Sequence, residues 1–345
     1  MSALTPLPAQ PGGVAWPTQE WPEADLDSAV AAKLNPLLDD AFSDPAPAAM
    51  GETHGFLAVQ GGQIVAERYW REFDRDSTHH SWSQAKSMTH ALIGILVREG
   101  KIDIHAPADV PEWQGTDDPR RAITLDQLLR MSSGLQFRED YVDAGVSDVI
   151  EMLFGSGKDD VAGFAAKFPL AHPPGTVWSY ASGTTNIVAR CAARALGAPG
   201  PAFRDFMIRE LFDPIGMASA TPKLDAAGTF IGSSFCYCTV RDFARFGLLY
   251  LRGGIWDGRR ILPEGWADYA RTPTPVSATE TLGYGAHWWL GMAGPGSFSA
   301  NGFEGQYTVI VPDLDLVLVR NGKSPGEAKD AVQRWMRQAA DAFRR

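Results

Sequence analysis

The sequence lacks the features that mark most exported and membrane proteins. Its 345 residues include only three cysteines, Cys191, Cys236 and Cys238, and a low, odd count favours a reducing compartment over a disulfide framework. No run of about 18 apolar residues occurs, so no membrane-spanning segment is predicted. The first 21 residues are rich in Pro, Gly and Ala and have neither a basic start nor an apolar core, so no secretory signal is expected. The predicted location is the cytoplasm.

Positive charge is also in short supply. The 31 Lys and Arg residues are outnumbered by 41 Asp and Glu residues, which gives a formal net charge of -10. This balance argues against a nucleic-acid partner and against docking on an anionic membrane. Cys236 and Cys238 have no matching His or Cys pair nearby in the sequence, so we expect neither a metal site nor a cofactor. The oligomeric state is not indicated by any pattern.

Strand patterns are found near both ends of the chain. Two apolar runs, Gly55–Gln60 and Gln63–Trp70, are separated by Gly61-Gly62, a pair typical of a hairpin turn. A second pair, Tyr307–Val311 and Leu316–Arg320, flanks another turn, and Tyr284–Leu290 also has strand character. We therefore expect antiparallel strands at both ends.

Helical periodicity dominates the middle of the chain, with a terminal helix at Pro325–Arg345. Together with the strand patterns, this predicts an α+β fold. We expect an antiparallel sheet flanked by helices, built from residues 1–100 and 281–345. A mostly helical domain, residues 101–280, is expected to be inserted between the two halves.

Ser83-Gln84-Ala85-Lys86 is the first candidate site. A polar loop ends at Ser83 and an apolar helical pattern runs from there to Gly100. Residues i and i+3 share a helix face, so the Lys86 amine can reach the Ser83 hydroxyl. Serine is a weak nucleophile that needs such a base, and backbone N–H groups at a helix N-terminus can bind an oxyanion. The alternative is an ordinary helix cap with a solvated lysine.

Two loops are further candidates. Tyr180 follows a Pro-rich loop and precedes a helical pattern, so it can transfer a proton if nearby cations lower its pKa, or simply pack on the core. The segment Asn301–Gln306 carries two glycines beside a predicted strand, which permits close backbone approach. The Phe303 N–H is then a candidate second oxyanion donor, and a plain turn is the alternative.

Six motifs, taken together, resemble the Ser-x-x-Lys serine hydrolases in content and order. This family includes class C β-lactamases, D-alanyl-D-alanine peptidases, family VIII carboxylesterases and aminohexanoate-dimer hydrolases. The resemblance covers roughly Gly55 to Lys323 and implies the fold of β-lactamases and penicillin-binding proteins. The motifs that carry it are Trp82–Ser87, Ile123–Leu135, Pro174–Tyr180, Leu211–Met217, Thr239–Gly247 and Gly305-Gln306.

The resemblance implies Ser83 as nucleophile, with Lys86 and Tyr180 as proton-handling partners. Which of the two takes the serine proton stays open, because they would titrate as a coupled pair. The oxyanion donors would be the backbone N–H groups of Ser83 and Phe303. Ser182 stands where the Tyr-x-Asn motif of the family has asparagine.

The resemblance also implies three substrate-binding residues: Tyr141, Asn301 and Gly302. The family's Lys-Thr-Gly motif falls on Ala300-Asn301-Gly302, where the lysine is missing. In β-lactam-processing relatives that lysine helps to hold the substrate carboxylate, so its loss argues against β-lactams. The expected activity is cleavage of small esters or linear amides. A β-lactamase or D,D-peptidase is the alternative, and a non-catalytic binding protein is a third reading.

Overall fold

The computed structural model describes residues 4–140, 147–276 and 281–344. Within these ranges there are twelve strands, numbered β1 to β12, and ten α-helices, numbered α1 to α10. In chain order the strands are Glu52–Gln60, Gln63–Tyr69, Thr78–His80, Thr221–Pro222, Cys236–Thr239, Ile255–Trp256, Arg259–Arg260, Gly283–Tyr284, Trp289–Leu290, Phe298–Gly302, Gln306–Val311 and Leu316–Lys323. The helices are Ser28–Ala41, Gln84–Arg98, Leu125–Leu129, Asp148–Phe154, Val161–Ala166, Ser182–Leu196, Pro201–Met207, Val240–Leu251, Trp266–Arg271 and Lys329–Ala342.

Both ends of the chain contribute to one antiparallel sheet, as expected. Seven strands lie in the order β2-β1-β12-β11-β10-β9-β8, so the first hairpin is joined to the last through the β1–β12 pair. Gly61 and Gly62, at the tip of the first hairpin, have φ values of 59° and 78°, which residues with a side chain rarely adopt. The predicted α+β fold, with an antiparallel sheet flanked by helices, is confirmed.

Helices cover both faces of the sheet. Along β1, Phe56 and Ala58 pack in a core cluster with α1 and α10, while Leu57 and Val59 pack in the cluster that contains α2 and α8. This alternation follows from the two-residue period of a strand. On the second face Gly247 of α8 lets the helix approach closely, because a Cβ there would lie 2.7 Å from Val317.

The helical part of the chain does not separate cleanly from the sheet. Helices α3 to α7 lie within the predicted insertion, residues 101–280. Helix α8 lies within the same range, yet it contacts β1, β11 and β12. The division into domains at residues 101 and 280 stays a prediction. One of the helices that cover the sheet, α8, comes from within residues 101–280.

Near the C-terminal strands one expectation was wrong and one strand had not been predicted. The strand expected at Tyr284–Leu290 is broken into β8 and β9 by a turn in which His287 has a φ of 55°. The segment that ends at Gly302 is itself a strand, β10, paired with β9 and β11. Its five residues Phe-Ser-Ala-Asn-Gly include Asn and Gly, which strands disfavour, so the hydrogen bonds from both neighbours define it rather than local propensity.

Candidate active site

Ser83 sits at the N-terminus of α2, on a sharply turned stretch of backbone. Trp82, directly before it, adopts the left-handed conformation at a φ of 44°. Its indole Nε1 donates a hydrogen bond to Glu304 Oε2 at 3.1 Å, and its ring packs edge-on against Phe303. Gly302 lies so close to this turn that a Cβ would be 2.4 Å from the Ser81 carbonyl oxygen. The end of β10 therefore fixes where Ser83 points.

The Lys86 amine lies behind Ser83 and is buried, with 2% of the residue exposed. Its Nζ is 3.0 Å from Ser83 Oγ, 2.9 Å from Ser182 Oγ and 2.9 Å from the Ser233 carbonyl oxygen. Burial lowers the pKa of Lys86 to about 8, although the negative charge of Glu139 opposes that shift. The alternative of a solvated lysine on the first helical turn is wrong.

Tyr180 lies on the other side of the lysine. Lys86 Nζ is 4.8 Å from the centre of the Tyr180 ring, a distance at which a cation is attracted to the ring face. The ring also packs against Tyr284 and Trp289, with centroids 6.0 Å and 5.2 Å away. The fold thus brings Tyr180 to Ser83 and Lys86, which lie almost a hundred residues earlier in the chain.

Ser182 and Glu139 form a second layer behind Lys86. Ser182 is the first residue of α6, and Glu139 lies in the loop before α4. The Ser182 backbone N–H donates to Glu139 Oε2 at 2.7 Å, and the Ser182 hydroxyl donates to Oε1 at 2.5 Å. The sequence analysis did not identify Glu139. Its only indication that this loop belongs to the site was the candidate Tyr141, two residues further along. Tyr141 itself lies outside the described residues.

His287 joins the two helices that carry this chemistry. Its Nε2 is 2.7 Å from Thr185 Oγ1 on α6, and its carbonyl oxygen accepts a hydrogen bond from Ser87 on α2. The residue is buried, and burial together with the charge of Lys86 holds its pKa well below the usual range. His287 is therefore a neutral structural link and not an acid at neutral pH.

A cavity of about 750 Å³ opens in front of Ser83. Tyr180, Asn301, Gly302 and Phe303 line it together with Ser83, so every described residue of the predicted site except the buried Lys86 faces the same space. Ala300 does not line it, because that side chain is 1% exposed and packs in the core. Two aromatic side chains, Trp178 and Trp289, also line it.

The described lining of the cavity is predominantly acidic. It includes the partly buried Glu139 and Glu304 and the exposed Asp140 and Asp330, against one basic residue, Lys329. Within residues 4–140, 147–276 and 281–344, no group of three or more His, Cys, Asp or Glu side chains is placed to hold a metal ion. No helix in those ranges is both long and apolar enough to cross a membrane.

The comparisons with known proteins agree with this geometry. A family model described as Beta-lactamase matches residues 49–343. The 6-aminohexanoate-dimer hydrolase of Paenarthrobacter ureafaciens is 28% identical over 294 residues, which cover 79% of this chain and 73% of that protein.

Solved structures show the same fold. A Bacillus anthracis protein described provisionally as a 6-aminohexanoate-dimer hydrolase superposes with a TM-score of 0.76 at 23% identity, covering 98% of this chain and 90% of the other. A family VIII carboxylesterase superposes with a TM-score of 0.66 at 15% identity, covering 91% of this chain and 99% of the other. At these identities the likeness concerns the fold.

Proposed function

Since this chain belongs to the beta-lactamase family and is a serine hydrolase, we propose that it cleaves small esters or linear amides through an acyl-enzyme on Ser83. The observation that carries the proposal is the 3.0 Å contact between Lys86 Nζ and Ser83 Oγ at the base of the cavity. A buried amine whose pKa is about 8 is partly neutral near physiological pH, and a neutral amine can accept a proton.

In the proposed reaction Lys86 takes the Ser83 hydroxyl proton as Oγ attacks the carbonyl carbon. The oxyanion that forms is held by the backbone N–H groups of Ser83 and Phe303. Collapse breaks the bond to the alcohol or amine, which leaves with the proton delivered through Lys86 and Tyr180. Water then attacks the acyl-enzyme, gives its proton to the same pair and releases the acid, which restores Ser83.

The charge of the cavity supports esters and linear amides over β-lactams. Ala300, where the family has a lysine, supplies no cation, and Glu304 contributes a carboxylate to the cavity lining. A substrate carboxylate that loses its cationic partner forfeits a charge-assisted hydrogen bond, on the order of 1.5–3 kcal/mol or roughly ten- to a hundredfold in affinity. An ester without a carboxylate needs no such partner.

The relatives support the same choice. A 6-aminohexanoate-dimer hydrolase is similar to this chain in sequence, and a family VIII carboxylesterase is similar in fold. The formed Ser83–Lys86 contact argues against a purely binding role. We keep the cytoplasm as the proposed compartment, because Cys191, Cys236 and Cys238 are buried free thiols, which suits a reducing environment.

The test is a substrate panel with purified protein: a nitrophenyl butyrate, a linear aminohexanoate amide and a chromogenic cephalosporin. We expect kcat/KM to be highest for the ester and lowest for the cephalosporin. A serine-directed phosphonate should label Ser83 in the tryptic peptide that ends at Lys86, and Ser83→Ala should lose both labelling and turnover. A cephalosporin value equal to the ester value would favour the β-lactamase alternative, and an active Ser83→Ala variant would refute the mechanism.

A further inference from the structure

We propose that Glu139 is a positioning residue that orients the Lys86 amine so that its lone pair faces Ser83. The inference rests on the proposed roles of Ser83 and Lys86. It concerns a residue that does not touch Ser83 and acts through Ser182. The observation behind it is a continuous chain of hydrogen bonds, from Glu139 to Ser182, from Ser182 to Lys86 and from Lys86 to Ser83.

The direction of each hydrogen bond follows from the chemistry of its partners. A carboxylate only accepts, so the Ser182 hydroxyl must use its hydrogen on Glu139. The Ser182 oxygen is then left to accept an N–H from Lys86. The Ser233 carbonyl oxygen also only accepts, and it takes a second N–H from the same amine.

A neutral lysine has two N–H groups and one lone pair. With both N–H groups directed at Ser182 and Ser233, the lone pair is left for the third neighbour, Ser83 Oγ at 3.0 Å. That is the arrangement in which the amine can take the serine proton. If Ser182 were free to turn its hydroxyl toward Lys86, the lone pair would be drawn away from Ser83 and the base would be misdirected.

The carboxylate of Glu139 is suited to this role in a way that an amide is not. Both of its oxygens accept from Ser182, one from the backbone N–H and one from the hydroxyl. A glutamine would present one acceptor and one donor, so one of the two hydrogen bonds would be lost or reversed. The loop that carries Glu139 is anchored by the adjacent residue, because Arg138 forms a salt bridge of 2.8 Å with Asp148 of α4.

Glu139 also acts on Lys86 through its charge. The titratable groups that face the amine are Glu139 on the loop before α4, Tyr180 before α6 and His287 between β8 and β9. Burial lowers the pKa of Lys86, Glu139 raises it, and His287 is neutral. Removing the charge of Glu139 should therefore lower the pKa of Lys86 further.

The two effects together distinguish Glu139→Gln from a variant whose fold is merely damaged, because they change both the kcat plateau and the pH at which kcat rises. We expect kcat at the pH plateau to fall about ten- to a hundredfold, the range of a charge-assisted hydrogen bond. At the same time the rising limb of the pH profile should move to lower pH. A loss of folding alone would lower the plateau and leave the limb in place.

The experiment measures kcat over pH on a nitrophenyl butyrate for the wild type, Glu139→Gln, Glu139→Asp, Ser182→Ala and the Glu139→Gln/Ser182→Ala double variant. Glu139→Asp, which keeps two acceptors, should retain more activity than Glu139→Gln. The kcat of the double variant should be within about twofold of that of Ser182→Ala, because either substitution alone already interrupts the chain of hydrogen bonds. Glu151→Gln serves as the matched control and should match the wild type, because Glu151 on α4 accepts the backbone N–H of Ser156 beyond the helix end, away from Lys86.

An unshifted limb in Glu139→Gln, a wild-type plateau, or independent losses in the double variant would each overturn the inference. If Glu139→Gln does not fold, Ser182→Ala decides, and a wild-type plateau in that variant overturns it. Failure of the proposed function looks different, because Ser83→Ala would then keep its activity whatever the pH profile of the Glu139 variants.

Discussion

The cavity has two walls that are built on different principles. The inner wall behind Ser83 is buried, and hydrogen bonds link its polar groups in a chain from Glu139 through Ser182 to Lys86. The outer rim carries the exposed carboxylates Asp140 and Asp330 and the partly buried carboxylate Glu304, which act across solvent.

The difference shows how one cavity can separate reaction from selection. Electrostatic interactions are strong in a dehydrated environment and weak near water. Changes to the inner wall should therefore alter the rate with every substrate. Changes to the rim should instead alter the choice among substrates, with smaller effects that depend on charge.

The largest expected effect is on the inner wall. Lys86→Met, which keeps most of the length of the side chain but removes the amine, should reduce kcat about a hundredfold or more, and Tyr180→Phe should do the same. The double variant should lose little more than either one, because both residues serve one proton-transfer unit. Multiplicative losses would show that the two act separately. Thermal unfolding of each variant checks that the fold is intact.

The next effect is the pH dependence of the wild type. Burial lowers the pKa of Lys86 to about 8, and the reaction requires the neutral amine. We therefore expect kcat/KM for a neutral ester to rise with pH through about 8 and to level off above it. The pH at which kcat/KM rises should be the same for esters that differ in charge, since the titrating group, Lys86, lies in the inner wall. A limb near the ordinary lysine pKa of about 10.4 would contradict a buried, desolvated amine.

The sequence predicted those parts of this architecture whose cause is local. The terminal helix expected at Pro325–Arg345 forms over Lys329–Ala342, and Gly61-Gly62 forms the expected turn because few other residues tolerate those φ values. Ser83 and Lys86 could be paired because three residues along a helix bring two side chains to one face. The rest of the inner wall could not be found this way.

Glu139, Ser182 and the Ser233 carbonyl meet Lys86 only through the tertiary fold, from segments that lie about 50 to 150 residues away along the chain. No spacing rule connects them. Strand β10 was missed for a related reason, because its neighbours β9 and β11 supply the pairing that its own sequence does not indicate. Ala300 of this strand is 1% exposed and packs in the core.

On the rim we expect a moderate effect from Glu304→Gln. The amide can still accept the Trp82 indole N–H, so the turn before Ser83 is preserved while the charge is lost. A partly exposed charge about 5 Å from a charged substrate group contributes on the order of 1 kcal/mol, or about fivefold. Turnover of a nitrophenyl glutarate monoester should rise by that factor, and turnover of the cationic 4-aminobutyrate ester should fall. The neutral butyrate ester is the internal control, and an equal change in all three would assign Glu304 to the inner wall.

The smallest expected effect is that of salt, and it separates the two walls without any substitution. The Debye length is about 10 Å at 0.1 M salt and about 3 Å at 1 M, so added salt screens the rim carboxylates but not the buried contacts of Lys86. The preference of the wild type for the 4-aminobutyrate ester over the glutarate monoester should therefore shrink about twofold over this range. The pH limb for the neutral ester should stay where it is, because Lys86 is 2% exposed and ions do not reach it. In Glu304→Gln the salt dependence of the preference should be smaller than in the wild type, since one of the screened charges is already gone.

A pH limb that moves with salt would mean that solvent ions reach Lys86 and that the inner wall is open to solvent. A preference that ignores salt would mean that substrate charge is recognised by buried contacts and not by the rim.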